Sequence, residues 1–224
     1  MQYFSYCSAD EQVDALSSRI IHDLSIYLQH QEMVVLAVSG GRSPIPLFHK
    51  LSQVNMDWQR VRVTLVDERL VAVDHPDSNE RLVKTHLMVN HAACAKFLPL
   101  VTPCAGEMSA QESTRHFSYP DVAILGMGED GHTASLFPGA VELSEALSLS
   151  TDSPSIVITP PVASYRRLSL TRAALLKAKQ LYLAIQGETK RIVFEKACQH
   201  EDPSLPISYF IQQTKAPFDV YWAP

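Results

Sequence analysis

Apolar side chains at Val13, Leu16, Ile20, Ile21, Leu24 and Leu28 repeat with the spacing of one helical face. The pattern predicts an amphipathic helix over residues 10–30 with Asp10 as its N-cap. The period then changes. Residues 33–38 form an unbroken, β-branched apolar run, as a strand buried on both faces would. Ser39-Gly40-Gly41-Arg42-Ser43 interrupts it, and Pro44 suits the first turn of a helix reaching about Val54.

The same rhythm continues along the chain. Residues 61–66 read as a strand ending at Asp67-Glu68-Arg69, followed by a loop rich in Asp, His and Pro. Ser78 is the expected N-cap of a helix to about Val89. Further strands are expected over 121–125, 155–158, 167–170 and 180–185, with helices over 172–177 and 188–199. Val220-Tyr221-Trp222 is the expected closing strand of the sheet. Strands alternating with helices predict an α/β fold, a doubly wound, mostly parallel, Rossmann-like sheet. There is no internal repeat, no low-complexity tract and no linker, so residues 1–224 read as a single domain. The Ser-rich stretch 140–154 reads as a surface loop or short helix.

Composition narrows the classes of function. The chain has 224 residues, of which 46% are hydrophobic and 19% charged, enough for a sizeable core. A formal net charge of −5 argues against general nucleic-acid binding but leaves room for a local anion site. Cys7, Cys94, Cys104 and Cys198 form no CxxC pair and read as reduced thiols. No signal peptide pattern opens the chain and no apolar run reaches membrane-spanning length. The expected location is therefore the cytoplasm.

Candidate chemistry falls where such sheets bind ligands, at the carboxyl ends of their strands. Ser39, Gly40, Gly41, Arg42 and Ser43 form a glycine-rich turn before a helix, either a phosphate cradle or a plain capped turn. The Gly-Lys-Ser/Thr ending of a P-loop is missing. Asp67-Glu68-Arg69 places three charges at the end of an apolar strand, where they need solvent, pairing or a ligand. Gly126-Met127-Gly128-Glu129-Asp130-Gly131-His132-Thr133 presents two carboxylates and a histidine on an irregular loop. Such a set can activate water, with a carboxylate fixing the imidazole tautomer. Arg167 and Lys190 are further cations at strand and helix starts, each by itself an ordinary surface charge. No HExxH, Cys/His cluster or EF-hand loop points to a metal, and no GxSxG elbow points to a serine nucleophile.

Taken in order, these segments resemble the 6-phosphogluconolactonase family over nearly the whole chain. The glycine turn with Pro44, Asp67-Glu68-Arg69 with Asp77-Ser78-Asn79, and the long run from Gly126 to Gly139 carry the resemblance. Arg167-Leu168-Ser169-Leu170-Thr171 and Gly187-Glu188-Thr189-Lys190 complete it. The resemblance implies hydrolysis of 6-phospho-D-glucono-1,5-lactone, a step of the oxidative pentose phosphate pathway, without metal or cofactor. It implies His132 as the base, with Asp67, Arg69 and Asp130 around the lactone ring. It also implies that Arg167, Lys190 and the Ser39–Ser43 loop hold the phosphate. Many relatives carry a small residue in place of Arg42, which leaves that side chain either to the ligand or to solvent. Which of Asp130 and Glu129 orients His132 stays open.

Two other readings compete. Aminosugar-phosphate isomerases and deaminases share the fold and an Asp-Gly-His loop, but carry Glu five residues after the histidine, where this chain has Phe137. A sugar-phosphate sensor would need a DNA-binding module, and the chain is expected to begin directly with the helix–strand unit of the core. The expected partner is a small phosphorylated sugar lactone, with neither nucleic acid nor membrane, on a monomer or weak homodimer.

Overall fold

The computed structural model of the chain describes residues 1–101 and 117–224; Cys104 lies outside them. A parallel sheet of seven strands forms the centre. Its strands are β1 (Gln2–Ser5), β2 (Val34–Val38), β3 (Val61–Leu65), β5 (Lys96–Phe97), β6 (Val122–Leu125), β9 (Gln180–Gln186) and β10 (Phe218–Ala223). They lie in the order β1-β10-β9-β6-β2-β3-β5, and every neighbouring pair is parallel. Each residue of β2, β6 and β10 is buried. These runs, apolar but for Asp219, sit inside because helices cover both faces of a parallel sheet.

Three more strands form a small antiparallel sheet: β4 (Asp67–Arg69), β7 (Ser155–Ile158) and β8 (Arg167–Leu170), in the order β4-β8-β7. Val66 joins the two sheets. Its N–H donates to Val38 O at 3.0 Å in the main sheet, and its carbonyl accepts from Leu170 N at 2.8 Å in the small one. The charged tripeptide that reads as a strand end is therefore itself a strand. Its turn to a new partner brings Asp67 opposite Ser169 and Arg69 opposite Arg167.

Helix α1 (Ala9–His30) buries Val13, Leu16, Ile20, Leu24 and Leu28 of the expected stripe and leaves Ile21 half-buried. Its cap is Ser8, not Asp10: the Ser8 hydroxyl accepts from Glu11 N, and Asp10 stands in the first turn. A carboxylate there still favours the positive end of the helix dipole. Helices α2 (Ile45–Ser52) and α3 (Asn79–His86) follow, α3 capped by Ser78 as expected, then α4 (Leu143–Leu147) and α5 (Arg172–Leu175). Helices α6 (Glu188–Ala197) and α7 (Ser208–Ile211) are the last two among the described residues. β10 does not close the sheet, because β1 pairs outside it and forms the edge. The chain thus opens on a strand, not on the expected helix. With the burial pattern exposed, exposed, intermediate, exposed, β1 carries no alternation from which a strand is readable.

Candidate active site

Strands β2 and β6 are neighbours, yet the chain leaves them in opposite directions, β2 leading to β3 and β6 towards β9. Such a switch point opens a crevice at the carboxyl ends of the two strands. Ser39 stitches its rim. Its hydroxyl donates to Ile124 O at 3.0 Å and accepts from Gly126 N at 3.1 Å. Over this rim lies a cavity of about 270 Å³. The first glycine loop contributes Ser39, Gly40, Gly41 and Ser43 to its wall, and the second contributes Gly126, Gly128 and His132. Arg42 is exposed and is not part of that wall.

Gly40 is needed for space. A Cβ there would stand 1.9 Å from Asn79 Oδ1. Asn79 begins α3, is buried, and donates from Nδ2 to Asp67 O at 2.9 Å. Its Oδ1 is buried with no hydrogen-bond partner. Glu68 holds this helix start in place. Its carboxylate accepts from Asn79 N at 2.8 Å, Glu80 N at 2.7 Å, Arg69 N at 2.7 Å and the Ser78 hydroxyl at 3.2 Å. Burial pushes the Glu68 carboxyl above its ordinary range, with the backbone N–H bonds pulling the other way. The middle charge of the tripeptide is therefore structural, while its neighbours Asp67 and Arg69 line the cavity.

The second glycine loop folds back on itself: Gly128 N donates to His132 O at 2.9 Å, and Thr133 Oγ1 to Gly126 O at 2.8 Å. Nδ1 of His132 sits 2.5 Å from Asp130 Oδ1. Asp130, not Glu129, is thus the carboxylate in contact with the imidazole. The His132 hydrogen bond holds the Asp130 carboxyl below its usual range. Gly128 leaves the room for this pair, since a Cβ there would lie 2.2 Å from His132 Nδ1 and 2.5 Å from Asp130 Oδ1. The ring of His132 stacks on Phe137 at 4.3 Å between centroids. Its Nε2 makes no hydrogen bond among the described residues, and the side chain lines the cavity.

Three cations reach the same wall: Arg69, Arg167 and Lys190. Arg69 is braced by its Nη1 bond to Asp77 O at 2.6 Å. Arg167 faces Asp67 Oδ2 at 3.8 Å, and desolvation lowers its pKa. Asp67 is itself held by the Ser135 hydroxyl at 2.5 Å. Lys190 stands in the first turn of α6 and forms no ion pair among the described residues. Asp67 is the one acidic residue among those forming the wall, so the cavity favours an anion.

All the residues expected at the site meet here except two. Asp130 stands behind His132, and Arg42 stands apart. Asn79, Gln12 and Gln186 line the cavity without having been singled out for it. Gln12 had one signal: an amide beside Val13 and Leu16 on the buried face of α1. It donates to Ile185 O and Tyr221 O and accepts from Gln186 Nε2 at 2.8 Å. Among the described residues, no three His, Cys, Asp or Glu are grouped to hold a metal ion. Nor is any helix of the described residues long and apolar enough to cross a membrane.

Residues 7–222 match the model of the family described as glucosamine-6-phosphate isomerases/6-phosphogluconolactonase. A 6-phosphogluconolactonase of Neisseria meningitidis is 37% identical over 99% of this chain and 98% of its own length. That of Pseudomonas aeruginosa is 39% identical over 97% of this chain and 92% of its own. The crystal structure of a 6-phosphogluconolactonase from Shewanella baltica superposes with a TM-score of 0.94 at 36% identity, covering 100% of this chain and 98% of that one. A monomeric glucosamine-6-phosphate deaminase, 16% identical with a TM-score of 0.79, shares the fold alone. With a family match along nearly its whole length and full-length relatives above one-third identity, the chain belongs to the glucosamine-6-phosphate isomerase/6-phosphogluconolactonase family.

Proposed function

We propose that the chain is a 6-phosphogluconolactonase, hydrolysing 6-phospho-D-glucono-1,5-lactone to 6-phosphogluconate in the oxidative pentose phosphate pathway. The observation that carries this reading is the His132–Asp130 pair, with Nε2 open, beside a cavity walled by Arg69, Arg167 and Lys190. A base and several cations in one enclosure suit a substrate with a hydrolysable carbonyl and a phosphate.

Asp130 accepts the Nδ1 proton, which leaves Nε2 as the basic nitrogen. His132 then takes a proton from water as the water oxygen bonds to the lactone carbonyl carbon. The tetrahedral oxyanion is stabilised by Arg69 or by N–H groups of the glycine loops. On collapse the ring C–O bond breaks, and the imidazolium returns its proton to the leaving alkoxide. Arg167 and Lys190 hold the phosphate, so binding energy at the remote end orients the reacting end. The steps draw on side chains and backbone N–H groups of this chain, with no metal or cofactor in any of them.

Hydrolysis of phosphorylated and unphosphorylated gluconolactone by the purified chain tests this reading. The phosphorylated lactone should be turned over and the other not. Release of ammonia from glucosamine 6-phosphate, with no effect on the lactone, would instead establish the deaminase chemistry.

A further inference from the structure

The wall of the cavity shows His132 and Arg167 but not what aligns them. Among the described residues, Asp130 supplies the one hydrogen bond to the His132 ring, at Nδ1. A single bond fixes the tautomer but leaves the ring free to pivot about it. Arg167 is held still more loosely by polar contacts. Its guanidinium makes no hydrogen bond among the described residues, its Nε is buried without a partner, and Asp67 is 3.8 Å away. Yet both side chains rest on one ring. Phe137 stacks on the His132 imidazole at 4.3 Å with an interplanar angle of 29°, and the Arg167 guanidinium carbon lies 5.0 Å from the centre of the same ring. Phe137 is 8% exposed and is not part of the cavity wall.

From this we infer that Phe137 is a positioning residue that couples the base to a phosphate-binding cation. Its ring sets the plane of the imidazole so that Nε2 faces the cavity. It also carries the guanidinium without using any N–H donor, which leaves those of the terminal nitrogens for the ligand. A carboxylate at this position would pair with Arg167 and take those donors away. The inference rests on the lactonase reading for its catalytic half and on anion binding alone for its other half.

The test compares wild type with Phe137→Leu and Phe137→Tyr, each also combined with Arg167→Met. Removing the aromatic face should lower kcat about tenfold and raise KM for the phosphorylated lactone about fivefold, while Phe137→Tyr stays within about twofold of wild type. With Arg167→Met in place the cation is gone, so the leucine substitution should alter KM by less than about twofold, because interacting residues are not additive. Affinity for inorganic phosphate, measured by calorimetry, should fall with Phe137→Leu in parallel with KM. Kinetic constants unchanged in Phe137→Leu, or equal losses in both Arg167 backgrounds, would overturn the inference. If the leucine variant lacks a cooperative thermal transition, the folded tyrosine variant decides: activity lost in it refutes the role. A wild-type chain that binds phosphate but leaves the lactone intact would refute the lactonase reading, and the phosphate affinities would still judge Phe137.

Discussion

At His132 a single contact decides which nitrogen can act. Asp130 lies 2.5 Å from Nδ1, so a neutral imidazole donates there and keeps Nε2 basic. His132→Ala should lower kcat by about 10²–10⁴ with the thermal midpoint little changed, read by steady-state kinetics beside a melting curve. Asp130→Asn keeps the shape but not the charge. It should lower kcat, since the imidazolium formed during the reaction loses its neighbouring charge. Stability follows the same pair. The folded Asp130 carboxyl titrates below its unfolded value, so its contribution is present above the unfolded pKa and fades as pH falls through the folded one. Unfolding of wild type and Asp130→Asn should therefore differ at neutral pH and converge in acid. A difference that grows in acid contradicts this assignment. Asp130 and His132 were legible because they are two residues apart on one glycine-rich loop.

Among the elements, α3 and the strand before it show how a short segment places the site. Glu68 accepts the first-turn N–H groups of Asn79 and Glu80, so the helix start is tied to β4. Glu68→Gln turns an amide towards donors and should cost about 1–3 kcal/mol of stability, seen as a lower urea midpoint. KM should rise as well, because Arg69 and Asn79 lose their anchor. An unchanged midpoint would contradict the capping role. Gly128→Ala is the complementary case: a Cβ 2.2 Å from His132 Nδ1 displaces the ring, so activity should collapse while the strands persist by circular dichroism. The role of Glu68 was not readable from the chain. The donors it accepts from at Ser78, Asn79 and Glu80 lie 10–12 residues away, and the turn of Asp67-Glu68-Arg69 into a second sheet depends on β8, roughly a hundred residues on. Buried runs such as 34–38 and 122–125 declared themselves through β-branched continuity, whereas the exposed edge β1 carried no such signal.

For the molecule as a whole, the parallel frame brings five distant segments to one cavity. Period and glycine breaks imply that frame, but not which helix face closes the crevice. Gln12 on α1 and Gln186 at the end of β9 enter the wall only through the packing of α1 against the sheet. A ligand that binds the folded cavity alone must stabilise the whole chain. Inorganic phosphate or 6-phosphogluconate at a hundred times its Kd should add about 2.7 kcal/mol, and Lys190→Ala should shrink the rise in Tm at equal concentration. The central claim is that one enclosure joins a general base to a phosphate grip. Proton release on adding fresh 6-phosphogluconolactone, with unphosphorylated gluconolactone and His132→Ala in parallel, tests it most directly. The account predicts rapid release with the phosphorylated lactone and wild type alone. Release no faster than spontaneous hydrolysis, or undiminished in His132→Ala, would contradict it.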